Sequence, residues 1–329
     1  MQPSGLIPVH VLTGALGSGK TTLLNRLLQG GFGADTAVVV NEFGDIALDQ
    51  LFIAARSDET IVLKSGCICC TMRTDLVSTL LGLLARPAGA AALKRVIIET
   101  SGISDPVPIL QTLRSDFNLA TRFCVAGVIC TADAAQGSRL ADGPEAIRQL
   151  SAADAIVLTK LDVAHDHGQA ARATVSAHNP IARVVEGAAE LVNALGEGNL
   201  ARRADHEIAA WMRLPARVQA GHEIRSTVIR GIAPPSWPRF AVWLTRLVFM
   251  HGDRILRTKG VLFDAARNRW IGVHGVRRFF HPPVHLDLAQ APEFGACLVF
   301  ITQGLDPAQI EASYHRLAHS TTHPQEEHT

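Results

Sequence analysis

The stretch GALGSGKTT, Gly14 to Thr22, is the strongest indication of the fold, because it satisfies the pattern G-x-x-x-x-G-K-[ST] between a buried run and a helical pattern. Glycines in such a loop let backbone N–H groups converge on phosphate oxygens, and the following helix N-terminus adds positive partial charge. Lys20 supplies a charge for the outer phosphates, and the Thr21 hydroxyl is a ligand for Mg²⁺. A glycine turn that matches by chance is the alternative, but the strand–loop–helix setting favours a phosphate site.

Apolar runs on both sides of this loop alternate with helical patterns. Continuous apolar runs separated by helices are typical of a parallel sheet that is covered on both faces. We therefore predict a doubly wound, mostly parallel α/β domain over residues 1–200. The predicted strands are IPVHVLT (7–13), TAVVV (36–40), TIVL (60–63), RVIIET (95–100), RFCVAGVI (122–129) and AIVLT (155–159).

The chain changes character near residue 200. Residues 199–223 lack a strand pattern, and we interpret 201–222 as a polar connector with one short helix. Strand patterns at 224–232, 254–263, 269–276 and 296–302, with a helix opening near Pro238 and another capped by Asp306, predict a smaller α+β domain over 223–320. We expect the tail, 321–329, to be disordered.

Composition narrows the class of protein. Hydrophobic residues make up 47% and charged residues 19%, which is typical of a folded chain. The net charge of +1 argues against binding to nucleic acid or to an acidic membrane. The most apolar segment is interrupted by Arg246, so no span is predicted. Six cysteines without a signal-peptide pattern indicate a cytoplasmic protein, in which thiols bind metal or react.

The sequence TKLD (159–162) follows the last predicted strand of the α/β domain. A carboxylate there can accept hydrogen bonds from the N1–H and the 2-amino group of guanine together, a donor pair that adenine lacks. Asp162 would do this, while the stem of Lys160 lies over the base. Thr159 stands where GTPases usually have asparagine, and its hydroxyl can still tether the loop. An ordinary strand end is the alternative.

Two acidic segments are candidates for the chemistry of the γ-phosphate. In ETSG (99–102), Glu99 would reach Mg²⁺ through water, and the Gly102 N–H would contact the γ-phosphate, although a capping role for Glu99 is open. In NEFGDIALD (41–49), Glu42 and Asp45 would position water, reach Mg²⁺ or add an oxygen ligand to a second metal. A solvated polar loop is the alternative for these two acids.

The sequence SGCICC (65–70) places three thiols, Cys67, Cys69 and Cys70, within four positions. Three thiolates suit Zn²⁺ or Cu(I), and a site with only three protein ligands stays open for release of its metal. Buried core cysteines or a redox pair are the alternatives. We predict that the isolated Cys124, Cys130 and Cys297 are buried core residues.

The motifs GALGSGKTT, NEFGD, SGCICC, ETSGISDP and TKLD, in this order, resemble those of the CobW-type metal-homeostasis GTPases, and the C-terminal part is similar to that family's C-terminal domain. The resemblance implies phosphate and Mg²⁺ contacts by Gly14, Gly17, Ser18, Gly19, Lys20, Thr21 and Thr22. It implies guanine contacts by Lys160 and Asp162, catalytic roles for Lys20, Asp45, Glu99 and Gly102, and metal binding by the three thiols.

Two departures from the family pattern concern metal binding. Val40 stands where some relatives have an acid, and the long histidine-rich stretch of many relatives is reduced here. The histidines that remain are His315, His319 and His323 at spacings of four, and the pair at 165 and 167. On a helix, a spacing of four places imidazoles on one face, which is a weak metal-capture pattern.

The hypothesis is a GTP-dependent metallochaperone that uses GTP and Mg²⁺ to deliver Zn²⁺, or Co²⁺, to a client apoprotein. In this hypothesis the C-terminal domain recognises the client, and the chain acts as a monomer or a GTP-dependent dimer. A metal buffer or sensor with little turnover is the first alternative. A small-molecule kinase is the second, and it leaves the three thiols without a role.

Overall fold

The computed structural model describes residues 5–30, 32, 35–42, 60–64, 70–85, 92–196, 210–211, 213–220, 223–231, 236–286 and 296–319. The chain divides into two compact units, residues 2–176 with 182–202, and residues 177–181 with 203–329. The domain limits expected near 200 and 223 stay predictions, and the tail 321–329 lies outside the described residues.

Strands of the first unit form one parallel sheet in the order β3-β2-β4-β1-β5-β6-β7. The predicted doubly wound α/β class is therefore confirmed. The sequence interpretation ended the β5 strand four residues early and missed β7, a short strand with only four residues. The strands are β1 (Ile7–Gly14), β2 (Thr36–Glu42), β3 (Thr60–Lys64), β4 (Arg95–Thr100), β5 (Phe123–Asp133), β6 (Ala155–Thr159) and β7 (Arg183–Glu186).

Helices cover both faces of this sheet. They are α1 (Lys20–Gln29), α2 (Cys70–Gly82), α3 (Val107–Ser115), α4 (Phe117–Ala120), a 3₁₀ segment (Ala134–Ala141), α5 (Pro144–Ala152), α6 (Gln169–His178) and α7 (Ala188–Gly196). Leu24 of α1 and Leu191 of α7 belong to a buried cluster with Val157 on one face. Leu150 of α5 and Val175 of α6 belong to a second cluster on the other face. β5 and β6 therefore contribute residues to buried clusters on both faces of the sheet.

The second unit is an antiparallel sheet in the order β12-β11-β10-β14-β9-β8, with β13 paired to β11. Helices accompany it, and the Asp306 carboxylate accepts from the Ala308 N–H at 3.0 Å, which is the predicted cap. The elements are β8 (Arg217–Ala220), β9 (Ile224–Arg230), α8 (Trp237–His251), β10 (Ile255–Asp264), β11 (Arg269–Val276), β12 (Phe279–Phe280), β13 (Val284–Leu286), β14 (Cys297–Gln303) and α9 (Pro307–His319).

The interpretation of residues 199–223 as lacking a strand was wrong. β8 pairs with β9 at the edge of the second sheet. The preceding segment is held by basic side chains: Arg230 donates to the carbonyls of Trp211 and Leu214, and the Lys259 ammonium lies 5.3 Å from the Trp211 ring centroid. Such a short strand depends on these contacts with distant residues, which a local pattern does not show. None of the described helices is long and apolar enough to cross a membrane.

His10, on the central strand β1, gives the fold a dependence on acid. Burial lowers the pKa of His10 from 6.5 to about 4, helped by the charge of Arg95 and opposed by Asp154. Between these two pH values the unfolded chain binds more protons than the folded one, so stability falls as the pH is lowered.

We expect the free energy of unfolding to fall by about 3 kcal/mol from this histidine between pH 6.5 and 4. The variant His10→Leu should lose that part of the pH dependence, measured by urea unfolding at several pH values. The variant His165→Asn, at an exposed histidine, is the matched control. Parallel pH profiles for His10→Leu and the wild type would contradict the assignment.

Candidate nucleotide-binding site

Four strand ends meet at one edge of the parallel sheet. The order β4-β1-β5-β6 places the end of β1 between its neighbours, and the carboxyl ends of parallel strands share one edge. The loop of residues 15–19 follows β1 and leads directly into α1, which begins at Lys20. Ligands of open α/β sheets bind in the crevice outside these strand ends.

The loop conformation explains its glycines. Gly14, Gly17 and Gly19 have φ values of 138°, 72° and 92°, in the region that favours glycine. A Cβ atom on Gly14 would lie 2.3 Å from Thr131 Oγ1 and 2.5 Å from the Thr131 carbonyl oxygen. Gly19 is the left-handed N-cap of α1, and its carbonyl accepts from the Leu23 N–H at 2.9 Å. A larger residue at Gly14 would separate β1 from β5.

The Lys20 ammonium is held over the loop. Its Nζ donates to the carbonyl oxygens of Gly14 at 2.9 Å and Ala15 at 3.1 Å. Lys20 is only 8% exposed, so its charged group is largely shielded from solvent beside the loop. An ammonium at this place next to a helix N-terminus makes the loop attractive to phosphate.

Thr21 and Glu99 bring oxygen atoms together beside Lys20. The Thr21 hydroxyl donates to Glu99 Oε1 at 2.9 Å, and Glu99 is only 5% exposed at the end of β4. A hydroxyl and a carboxylate are the hard oxygen ligands that Mg²⁺ prefers. The residues present therefore fit a magnesium ion. Gly17 and Thr22 are exposed, and Ser18 is buried.

A chain of hydroxyl groups beneath the loop was not foreseen. Ser18 Oγ lies 2.6 Å from Thr131 Oγ1, and Thr131 donates to the Thr13 carbonyl at 3.3 Å. On the other side, Thr100 donates to Thr13 Oγ1 at 3.0 Å. The signal in the sequence was a threonine at or just after the end of the buried runs 7–13, 95–100 and 122–129. These bonds join the loop to β5 and β1 to β4.

The residues predicted to contact guanine follow β6. Thr159 Oγ1 lies 2.8 Å from the Ser18 carbonyl, the tether to the loop that the sequence analysis allowed, and 3.2 Å from that of Ala132. Lys160 has a left-handed backbone with φ of 55°, and its Nζ lies 2.7 Å from Asp133 Oδ2. Asp162 is exposed. Asp133 was missed because the predicted strand ended at residue 129.

The segment after β4 lies against the phosphate loop. A Cβ atom on Gly102 would lie 2.5 Å from the Leu16 nitrogen and 2.6 Å from its Cα. The Ser101 and Ser104 hydroxyls are 2.6 Å apart, and the Ser104 N–H donates to the Ser101 carbonyl at 3.1 Å. Residues 101–104 therefore form a tight turn in backbone contact with the loop that follows β1.

Most of the predicted metal ligands lie outside the described part of the chain. Cys67, Cys69 and Asp45 belong to segments that the structure does not describe. Cys70 begins α2 and Glu42 ends β2, but their side chains are also outside the description. Among the residues that are described, no group of three His, Cys, Asp or Glu side chains is arranged to hold a metal.

The structure describes the three isolated cysteines and most of the histidines that the sequence analysis singled out. Burial raises the pKa of the Cys130 thiol to about 12 and that of Cys297 to about 11, so both stay protonated at neutral pH. These two are core residues as predicted, whereas Cys124 is partly exposed. His315 is exposed on α9, as are His165 and His167 on their loop. The His319 side chain and His323 lie outside the description.

Comparisons with known proteins match both halves of the chain. The sequence model described as "CobW/HypB/UreG, nucleotide-binding domain" matches residues 8–186, and the one described as "Cobalamin synthesis protein cobW C-terminal domain" matches residues 224–318. A relative from Escherichia coli named "Zinc chaperone YjiA" is 33% identical over 281 residues, which cover 83% of this chain and 87% of that protein.

Two solved structures are similar over almost the whole chain. The Zn(II)-bound YjiA GTPase from E. coli superposes with a TM-score of 0.68 at 26% identity, covering 95% of this chain and 99% of the other. A Zn(II)-bound triple mutant of YjiA GTPase, with one glutamate and two cysteines changed to alanine, gives 0.66 at 26% identity with the same coverage.

The contact between Gly102 and Leu16 can be tested directly. In Gly102→Ala the new methyl group must push two backbone segments apart, which costs about 1–3 kcal/mol of stability. We also expect about tenfold weaker binding of a fluorescent GTP analogue in a titration. The control is Gly82→Ala at the end of α2, where a Cβ would meet nothing within 4 Å. Equal nucleotide affinity in both variants would show that the contact has no role in binding.

Proposed function

The chain belongs to the CobW/HypB/UreG family of nucleotide-binding proteins and is a GTPase, and we propose that it couples GTP hydrolysis to the delivery of zinc to a client apoprotein. The observation that carries the proposal is the cluster of Lys20, Thr21 and Glu99, in which an ammonium, a hydroxyl and a carboxylate converge at the loop after β1. This is the equipment of a phosphoryl-transfer site.

Phosphates would bind to the backbone N–H groups of the loop from Gly14 to Gly19, with Ser18, Lys20, Thr21 and Thr22 completing the set. Thr21 and, through water, Glu99 would hold Mg²⁺, which neutralises charge on the phosphates when bound. The Gly102 N–H would contact the γ-phosphate. Because catalysis by such a site is mostly positioning and charge neutralisation, we expect a slow intrinsic rate.

Guanine would be read by Asp162, with the stem of Lys160 lying over the base. The ion pair with Asp133 supports this placement, since it draws the end of the Lys160 side chain back towards β5. The Thr159 hydroxyl supports it too, because its contact with the Ser18 carbonyl joins the base-reading loop to the phosphate loop.

Zinc is the proposed cargo, and Cys67, Cys69 and Cys70 are the proposed ligands, with Glu42 or Asp45 as a further oxygen ligand. The relative with the solved structure is a zinc chaperone by name, which supports zinc over cobalt. The Zn(II)-bound triple mutant of that protein shows that zinc binding in this relative does not require the two cysteines and the glutamate that were changed. The test must therefore follow one nucleotide-dependent site.

The client would dock on the C-terminal unit, and the chain would act in the cytoplasm as a monomer or as a GTP-dependent dimer. Loss of the γ-phosphate would release residues 101–105 and Asp45 and so loosen the metal ligands. By linkage, zinc should tighten GTP binding by the factor by which GTP tightens zinc binding.

Base recognition can be tested by comparing GTP with ITP, which lacks the 2-amino group. We expect GTP to bind at least about tenfold more tightly, since a hydrogen bond to a carboxylate contributes about 1.5–3 kcal/mol. Asp162→Ala should bind both nucleotides equally, and Asp142→Ala, at an exposed carboxylate elsewhere, should keep the difference. Isothermal titration calorimetry measures the affinities of the wild type and both variants for GTP and ITP, and that of the wild type for ATP. Preference for ATP over both would refute the assignment.

Coupling to metal can be tested by competing for Zn²⁺ with a colorimetric chelator. The protein carries Mg²⁺ with a non-hydrolysable GTP analogue, with GDP, or with no nucleotide. We expect one zinc site to tighten at least about tenfold with the analogue, and the triple variant Cys67→Ser, Cys69→Ser, Cys70→Ser to lose only this site. Cys124→Ser, at a thiol on β5, is the control.

Two results would change the proposed function. Zinc affinity that ignores the nucleotide, or that survives loss of the three thiols, would remove the coupling. Tightening by the GTP analogue with no measurable GTP turnover would instead indicate the buffer or sensor. Parallel titrations with Co²⁺ decide which of the two metals responds to the nucleotide.

A further inference from the structure

One buried side chain outside all the motifs contacts the turn at residues 101–104. Gln149, on α5, is only 1% exposed. Its amide nitrogen donates to the carbonyl oxygens of Gly102 and Ser104, both at 3.1 Å. An amide NH₂ group has two hydrogens, so both are used on two carbonyls of one turn.

The turn is therefore held from two directions. The Cα of Gly102 lies against the backbone of Leu16 in the phosphate loop. The carbonyl groups of Gly102 and Ser104 accept from Gln149. Movement of the turn away from the phosphate loop would change both contacts.

The helix that carries Gln149 is a firm support. Leu150 and Ala153, which follow Gln149, belong to the buried cluster that includes Ile156 and Leu158 of β6. A close-packed core responds little to small forces, so α5 cannot easily follow a moving turn. The turn itself is four residues held by short polar contacts, and it is the element that can change position.

We propose that Gln149 is a positioning residue that keeps the turn at residues 101–104 closed on the phosphate loop while GTP is bound. The inference rests on the proposed function, in which the Gly102 N–H contacts the γ-phosphate. With the turn closed, that N–H would be held in place for the γ-phosphate. GDP, which lacks the γ-phosphate, gains nothing from the closed turn.

Two variants separate positioning from general support of the fold. Gln149→Met keeps the length and approximate volume of the side chain but removes both donors. Gln149→Glu keeps the shape and places an oxygen opposite two carbonyl oxygens. Val175→Ala, a core truncation on α6, is the control for loss of stability, because Val175 lies in the same buried cluster as Leu150 without contacting the turn in any hydrogen bond.

The measurements are the affinities for a non-hydrolysable GTP analogue and for GDP, and the single-turnover rate of GTP hydrolysis. Two neutral hydrogen bonds correspond to roughly tenfold to thirtyfold in an equilibrium constant. We expect both Gln149 variants to bind the GTP analogue weaker by this factor and to hydrolyse GTP more slowly. Their GDP affinity should stay within about twofold of the wild type, and Val175→Ala should lower neither affinity selectively.

The outcomes are distinguishable. Equal losses for GTP analogue and GDP, or no loss, in a protein whose wild type hydrolyses GTP overturn the role of Gln149 and leave the proposed function standing. A wild type without nucleotide binding overturns both. If the variants fail to fold, amide hydrogen exchange of residues 101–105 is measured in the wild type instead. The proposal requires stronger protection with the GTP analogue than with GDP. Equal protection would overturn the role of Gln149.

Discussion

The close approach of backbone segments around the loop after β1 is the constraint on which the site depends. Gly14 touches Thr131, and Gly102 touches Leu16, at distances that leave no room for a Cβ atom. These contacts bring β5 and the turn after β4 directly against the phosphate loop. The Lys20 ammonium contacts the Gly14 carbonyl and the Thr21 hydroxyl contacts Glu99, so both groups are positioned beside this fixed backbone.

The sequence predicted the parts of the site whose partners are near in the chain. The phosphate-loop motif occupies nine consecutive residues, so its glycines, Lys20 and Thr21 are recognised from one short stretch of sequence. The buried strands are also recognised from short apolar runs, and β4 and β6 were predicted at their observed bounds. The family-level interpretation rested on the same short motifs.

What the sequence did not predict depends on distant partners. Gln149 is 47 positions from Gly102, and Lys160 is 27 positions from Asp133. A glutamine in a helix or an aspartate at a strand end is usually solvated, and only the packed fold shows otherwise. β8 was missed for the same reason, since pairing with β9 stabilises its four residues. Metal binding by Cys67, Cys69 and Cys70 stays a prediction from the sequence, because these thiols lie outside the described part of the structure.

The Gly102–Leu16 contact also bears on which substitutions this site tolerates over evolutionary time. The contact involves the backbone of residue 16, while its side chain is 81% exposed. Position 16 therefore tolerates many residues, since they present the same backbone atoms, whereas any Cβ atom at position 102 would push the two backbone segments apart. The identity of residue 102 therefore indicates whether this contact can form, whereas the identity of residue 16 does not. A search for related sites should require the glycine and place no requirement on the residue type at position 16.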